Sequence, residues 1–155
     1  MFFIVQILLD GLDECSLLNA LSIMMDCANL HSLYIRNSQN IINWSSICKL
    51  IEGNRNFTDL LIDYCKPSDL SMHSIVGSLS KMKWLKRLSL GMQITTAANE
   101  MNIKHIQELS TYFQGDINLD YLNLRQNKID EKCSEVLSKG LLKLDSITSL
   151  SERVI

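Results

Sequence analysis

Leu119-Asp120-Tyr121-Leu122-Asn123-Leu124-Arg125-Gln126-Asn127-Lys128-Ile129 is the stretch that decides how this chain is read. Leu122 and Leu124 are two apart, the spacing that puts side chains on one face of a strand. Asn127 then falls at the turn out of that strand, where a side-chain amide can satisfy backbone groups. The same apolar start recurs as Leu30-x-x-Leu33-x-Ile35, Phe57-x-x-Leu60-x-Ile62, Leu85-x-x-Leu88-x-Leu90 and Ile147-x-x-Leu150. From Leu33 to Leu60, Leu88, Leu122 and Leu150 the steps are 27, 28, 34 and 28 residues. Cys65 holds in its own copy the place of Asn127.

A period in this range, opening on L-x-x-L-x-L and allowing Asn or Cys at the turn, is the sequence sign of a leucine-rich-repeat solenoid. Between the strand starts the apolar spacing changes from 2 to about 3.6, the helical period. It runs through Trp44, Ile47, Cys48, Leu50 and Ile51, and then through Leu70, Ile75, Leu79 and Met82. Later it covers Ile103, Ile106, Leu109 and Phe113, and finally Val136, Leu137, Leu141 and Leu144. Each predicted helix packs its apolar stripe behind its own strand; Asp69 and Asp130 are the expected N-caps. The expected fold is therefore α/β, a solenoid in which no unit buries its apolar face alone. Its repeat length resembles the ribonuclease-inhibitor-like class, a horseshoe arc with parallel strands inside and helices outside. The long third step carries surplus residues within 91–102, expected as a loop, and loops of this kind often border the binding face. The stack closes on Ile147-x-x-Leu150 with no polar capping unit, so the expectation is a fragment of a longer array or a truncated product.

Composition bounds the rest. With 15 basic and 17 acidic residues the net charge is −2, which offers no pull toward nucleic acid. A 46% hydrophobic content and a single proline argue against disorder. Five cysteines with no C-x-x-C pair form neither a disulfide framework nor a zinc signature, and Cys15, Cys48, Cys65 and Cys133 are expected as small buried hydrophobes. The apolar run Phe2 to Leu9 is too short to span a bilayer. No basic residue precedes it and Asp10, Asp13 and Glu14 follow, which disfavours a secretory signal and points to a cytoplasmic protein. The sequons at Asn43 and Asn56 would matter only in a secreted chain.

Ile7-Leu8-Leu9-Asp10-Gly11-Leu12-Asp13-Glu14 carries the one acidic motif. Three apolar residues running into Asp, then Gly-x-Asp-Glu, resemble the Walker B element of NACHT-type NTPases. That resemblance would give Asp10 the magnesium-bound water and Asp13 with Glu14 the completion of the hydrolytic site. A second reading is equally in phase. Phe2-x-x-Val5-x-Ile7-x-x-Asp10-x-Leu12 is a degenerate first repeat strand, with Leu17, Leu18, Leu21, Met24 and Met25 as its helix. Residues 1–15 are thus a Walker B-like segment or a degenerate repeat strand, and residues 16–155 a leucine-rich-repeat domain of about four full repeats plus a partial C-terminal one. Of the outward strand positions Ile4, Gln6 and Leu8, two are apolar, which suits derivation from a strand buried on both faces. The chain has no G-x-x-x-x-G-K-S/T phosphate loop, so nothing in it cradles nucleotide phosphates, and the motif is expected to be vestigial, with no cofactor.

The D-G-L-D-E-C segment together with long repeats such as Ala28-Asn29-Leu30-His31-Ser32-Leu33 resembles the NLR receptors, cytosolic innate-immune proteins that join a NACHT NTPase to leucine-rich repeats. The resemblance implies a non-enzymatic protein-interaction module, serving ligand sensing or autoinhibition. Two other readings stay open: a remnant of a NACHT-type NTPase missing its Walker A part, or a repeat scaffold outside immunity.

His31, His73 and His105 occupy different phases of the repeat and cannot share a metal or catalytic site. The basic run Lys81 to Arg87 spans a helix end and the next strand, where cations suit the helix dipole. The partner surface is expected on the concave face, from residues alternating with the core positions. These are Ser32, Tyr34 and Arg36, then Asp59, Leu61 and Asp63, then Arg87, Ser89 and Gly91, then Tyr121, Asn123 and Arg125. Tyrosine and arginine are enriched at binding hot spots, and the mixed charge favours a protein partner over nucleic acid or membrane.

Overall fold

The computed structural model describes residues 5–24, 30–38, 41, 44–54, 56–91 and 101–151. Strand and helix alternate along them: β1 (Val5–Asp10), α1 (Glu14–Met24), β2 (Leu30–Arg36), α2 (Ser45–Gly53), β3 (Asp59–Asp63), α3 (Asp69–Leu79), β4 (Arg87–Ser89), α4 (Ile103–Phe113), β5 (Tyr121–Asn123), α5 (Glu131–Leu141) and β6 (Ser149–Ser151). The six strands make one parallel sheet in chain order, β1 to β6. Parallel neighbours need a crossover, and the helices supply it; each helix also packs on the next. The chain is α/β.

The repeated leucines set the register. Leu33, Leu60, Leu88, Leu122 and Leu150 are successive partners from β2 to β6, and Ile7 joins them from β1. Ile35 and Ile62 pair in a second rank. Leu33, Ile35, Leu60, Ile62, Leu88, Leu90, Leu122 and Leu124 are all buried in one continuous core, as the alternation requires. At the far edge Leu150 is 46% exposed, because no strand among the described residues lies beyond β6.

At two of the turns out of the strands, a buried side chain ties its unit to the one before. Buried Asn127 donates from Nδ2 to the Leu90 and Leu124 carbonyls, each at 2.9 Å. Cys65 repeats this chemistry in weaker form: its thiol donates to the carbonyls of Ile35 (3.7 Å) and Asp63 (3.4 Å). Burial pushes the Cys65 thiol up to about 11, so it remains S–H and keeps its donor.

Helix phase corrects three expectations. The N-cap of α3 is Ser68, whose hydroxyl accepts from the Ser71 N–H, and Asp69 is the first helical residue. That phase turns Met72, Ile75, Val76 and Leu79 inward; Leu70, two positions before Met72, lies on the opposite side and is exposed. For the same reason α1 buries Leu17, Leu21 and Met24 and leaves Cys15 exposed, whereas Cys48, Cys65 and Cys133 are buried as expected. Asp130 caps α5 as expected, accepting from the Cys133 N–H at 2.7 Å. On α4 Asn102 forms a capping box: Oδ1 accepts from the N–H groups of Lys104 and His105, while the Asn102 N–H donates to His105 Nδ1. Residues 92–100, which hold most of the surplus loop, lie outside the described residues, as do Phe2, Ile4 and Met25.

Helices α4 and α5 approach closely at one glycine. A Cβ on Gly140 would sit 2.8 Å from the Cα and carbonyl oxygen of Ser110. Backbone cannot yield cheaply there, so Gly140→Ala is expected to cost about 1–3 kcal/mol in urea denaturation despite alanine's better helix propensity. A neutral or stabilising result would show that the two helices are free to separate.

Candidate interaction face

The residues that alternate with the core positions lie in rows on the sheet face turned away from the helices. Ser32, Asp59, Arg87 and Tyr121 are register partners in one row, and Tyr34, Leu61, Ser89 and Asn123 in the next. Arg36 and Asp63 pair in a third row, with Asp10 beyond Arg36. Arg125 follows β5 at the same end of the sheet. The structure thus brings the expected set together, but much of it is engaged internally.

In the first row the Ser32 hydroxyl donates to Asp59 Oδ2 at 2.8 Å, and the Thr58 hydroxyl donates to the same oxygen at 2.9 Å. Arg87 Nε lies 3.6 Å from Asp59 Oδ1, and its guanidinium sits 5.3 Å from the centre of the Tyr121 ring. A cation over an aromatic face is attracted by the ring quadrupole, so Arg87 and Tyr121 hold one another. In the second row Ser89 donates to Asp63 Oδ1 and accepts from Asn123 Nδ2. The Gly91 N–H adds a further donor to Asp63 Oδ1 at 3.2 Å. Ser32 and Ser89 therefore occupy outward positions yet are buried under their neighbours' side chains, and they serve as struts rather than contact residues. Sequence alternation assigns the face of a residue, but the size of its cross-strand neighbours decides its exposure.

What remains open is concentrated at the C-terminal ends of the strands. Arg36, Asp63, Tyr64, Gly91, Asn123 and Arg125 line a polar pocket of about 300 Å³. Among the described residues neither Arg36 nor Arg125 has a carboxylate partner. A side chain on Gly91 would close the pocket floor, since a Cβ there would lie 2.9 Å from Asp63 Oδ1 and 3.1 Å from Asn123 Nδ2. Tyr64 stands at the rim with φ 54°, in the left-handed region that a bulky side chain adopts only at a cost. Gly11 and Asn37 hold the equivalent places after β1 and β2, also at positive φ. Tyr64 was not singled out from the sequence, because nothing in its residue type marks it: glycine or asparagine would be the usual choice.

The acidic segment behaves as strand and helix cap. Asp10 closes β1 and is exposed, and its Oδ1 accepts from Asn37 Nδ2 at 2.7 Å. Asp13 accepts from the Ser16 N–H at 2.7 Å, and that bond holds its carboxyl below the usual range. Glu14 begins α1. Among the described residues no three His, Cys, Asp or Glu side chains converge as a metal site would require. Gln6 and Leu8 point outward and are exposed, and among the described residues no strand lies beyond β1.

The histidines likewise have local work. Buried His105 closes the α4 capping box through Nδ1, and its Nε2 lies 3.6 Å from Asp69 Oδ1; His73 Nδ1 on α3 is 2.8 Å from Glu108 Oε1 on α4. On this helix side a wider groove of about 700 Å³ runs between α3 and α4 over Val76, Tyr112 and Ile117. No helix among the described residues is long and apolar enough to cross a membrane. Searches against protein-family models, curated proteins and solved structures find no match to this chain.

Proposed function

We propose that this chain is a non-enzymatic protein-interaction module built of leucine-rich repeats, an arc of the ribonuclease-inhibitor-like kind that presents its sheet face to a protein partner. Support for the repeat reading comes from the coincidence of sequence period and strand register, and from the Asn127 and Cys65 ties at equivalent turns. The observation that carries the functional reading is the ordered sheet face itself, with Tyr34, Arg87 and Tyr121 on adjacent rows and two further arginines unpaired among the described residues. Aromatic and arginine side chains held rigid before binding lose little entropy on contact, the property that makes hot spots. On this reading the module serves a cytoplasmic innate-immune sensor, which is what the resemblance of Asp10-Gly11-Leu12-Asp13-Glu14 and the repeats to NLR receptors implies. The capping duty of Asp13 supports a structural rather than hydrolytic role for the acidic segment.

The test is capture of a partner by the tagged protein, followed by substitution. Tyr34→Ala, Arg87→Ala and Tyr121→Ala are each expected to weaken the complex by at least about 1 kcal/mol. Loss confined to Glu108→Ala or Glu135→Ala, both on helices, would move the site to the opposite side.

A further inference from the structure

The charges of the sheet face do not cancel evenly. Asp59 is taken up by Ser32, Thr58 and Arg87, and Asp63 by the Ser89 hydroxyl and the Gly91 N–H, while Arg36 and Arg125 have no carboxylate partner among the described residues. These two cations line one pocket from β2 and from the turn after β5. A pocket of about 300 Å³ admits a carboxylate side chain or a short stretch of backbone and is at the lower limit for small-molecule sites. The site is also pre-built. Asn123 is held on both sides, its Nδ2 donating to Ser89 and its Oδ1 accepting from the Arg125 N–H at 3.1 Å, which anchors the backbone that carries one of the two guanidinium groups.

We infer that this pocket seats the carboxylate of a glutamate or aspartate from an acidic peptide segment of the partner, gripped between Arg36 and Arg125. The inference rests on the proposed sheet-face interaction and names the partner's chemistry. Planar guanidinium groups match a carboxylate with paired N–H donors, which gives direction as well as charge. Nucleic acid fits poorly: Asp10 and Asp63 flank Arg36 in its row and Asp59 lies two rows away, and this spread of carboxylates would repel a run of phosphates. A single carboxylate between the arginines meets one lining carboxylate, Asp63, which is already held by the Ser89 hydroxyl and the Gly91 N–H. Gly91 keeps the floor open, and the left-handed Tyr64 at the rim, 41% exposed, is placed to cover the aliphatic stem of the entering side chain.

The experiment uses the full chain and two fluorescein-labelled peptides, tetraglutamate and tetraglutamine, followed by fluorescence anisotropy in low salt. Saturable binding of tetraglutamate is expected, with tetraglutamine at least about tenfold weaker. Arg36→Gln and Arg125→Gln, both at exposed positions that tolerate exchange, are each expected to weaken tetraglutamate by a similar factor. Lys81→Gln, at the end of α3, changes the same net charge and is expected to leave binding within about twofold. Equal binding of the two peptides would overturn the inference, as would insensitivity to both arginine substitutions. Displacement by sodium phosphate or citrate at the peptide's own concentration would reassign the pocket to small free anions. The broader reading fails separately. A captured partner that depends on Tyr34 and Tyr121 but ignores Arg36→Gln and Arg125→Gln leaves the face intact and removes the pocket. Arginine-dependent tetraglutamate binding stands even if no partner depends on the tyrosines.

Discussion

Leu122→Ala is expected to destabilise the chain by about 2–5 kcal/mol in urea denaturation, with the midpoint shifted and the slope unchanged. Leu122 is fully buried and lies between Leu88 and Leu150 in the central rank of the sheet. Leu122 sits on a strand paired on both sides, and its neighbour Leu88 does too, so the site cannot collapse fully into the void and the cavity cost adds to the lost transfer energy. The contrast lies within the same rank. Leu150 on the edge strand is half exposed, and Leu150→Ala is expected to cost less than about 1 kcal/mol. Equal losses at the two positions would mean that the core does not run continuously through β5.

Asn127→Asp should be as damaging, and its effect should depend on pH. The buried amide gives its two N–H donors to the Leu90 and Leu124 carbonyls. A carboxylate at this position offers no donor, faces two carbonyl oxygens and is buried, so a loss of roughly 3–5 kcal/mol is expected near neutral pH. The sign follows from linkage. The surroundings raise the introduced carboxyl's pKa in the folded state above its unfolded value, so the folded state binds the proton more tightly. The variant therefore recovers part of its stability below the folded-state pKa and loses it as pH rises through that value. Denaturation at pH 4 and at pH 7, with the native sequence measured in parallel, gives the comparison. A penalty independent of pH would show that the position is open to water.

The core was legible in the sequence because a two-residue alternation repeated at 27–34 residues is satisfied by parallel strands in register, and the leucines so assigned are buried except Leu150 on the last strand. The turn asparagine was legible for a similar reason: an amide at a strand exit has a backbone to satisfy. The candidate face was legible as a set of positions but not as a surface. Ser89 and Arg36 read alike as outward residues, yet one is buried beneath Asp63 and Asn123 and the other is open.

The sequence by itself determined strand order, register and the division into core and face, since these follow from the period and from hydrophobic burial that is nearly independent of detail. Tertiary structure alone decided which helical residue begins each turn, and with it the exposure of Leu70 and Cys15, because a one-residue change of cap rotates the whole stripe by about 100°. It alone decided which charges are spent. Arg87 is neutralised by Asp59 one strand away, whereas Arg36 and Arg125, from units far apart in the chain, meet at one pocket. Pairing depends on distances of a few ångströms between side chains of different repeats, and a linear pattern carries no such distances.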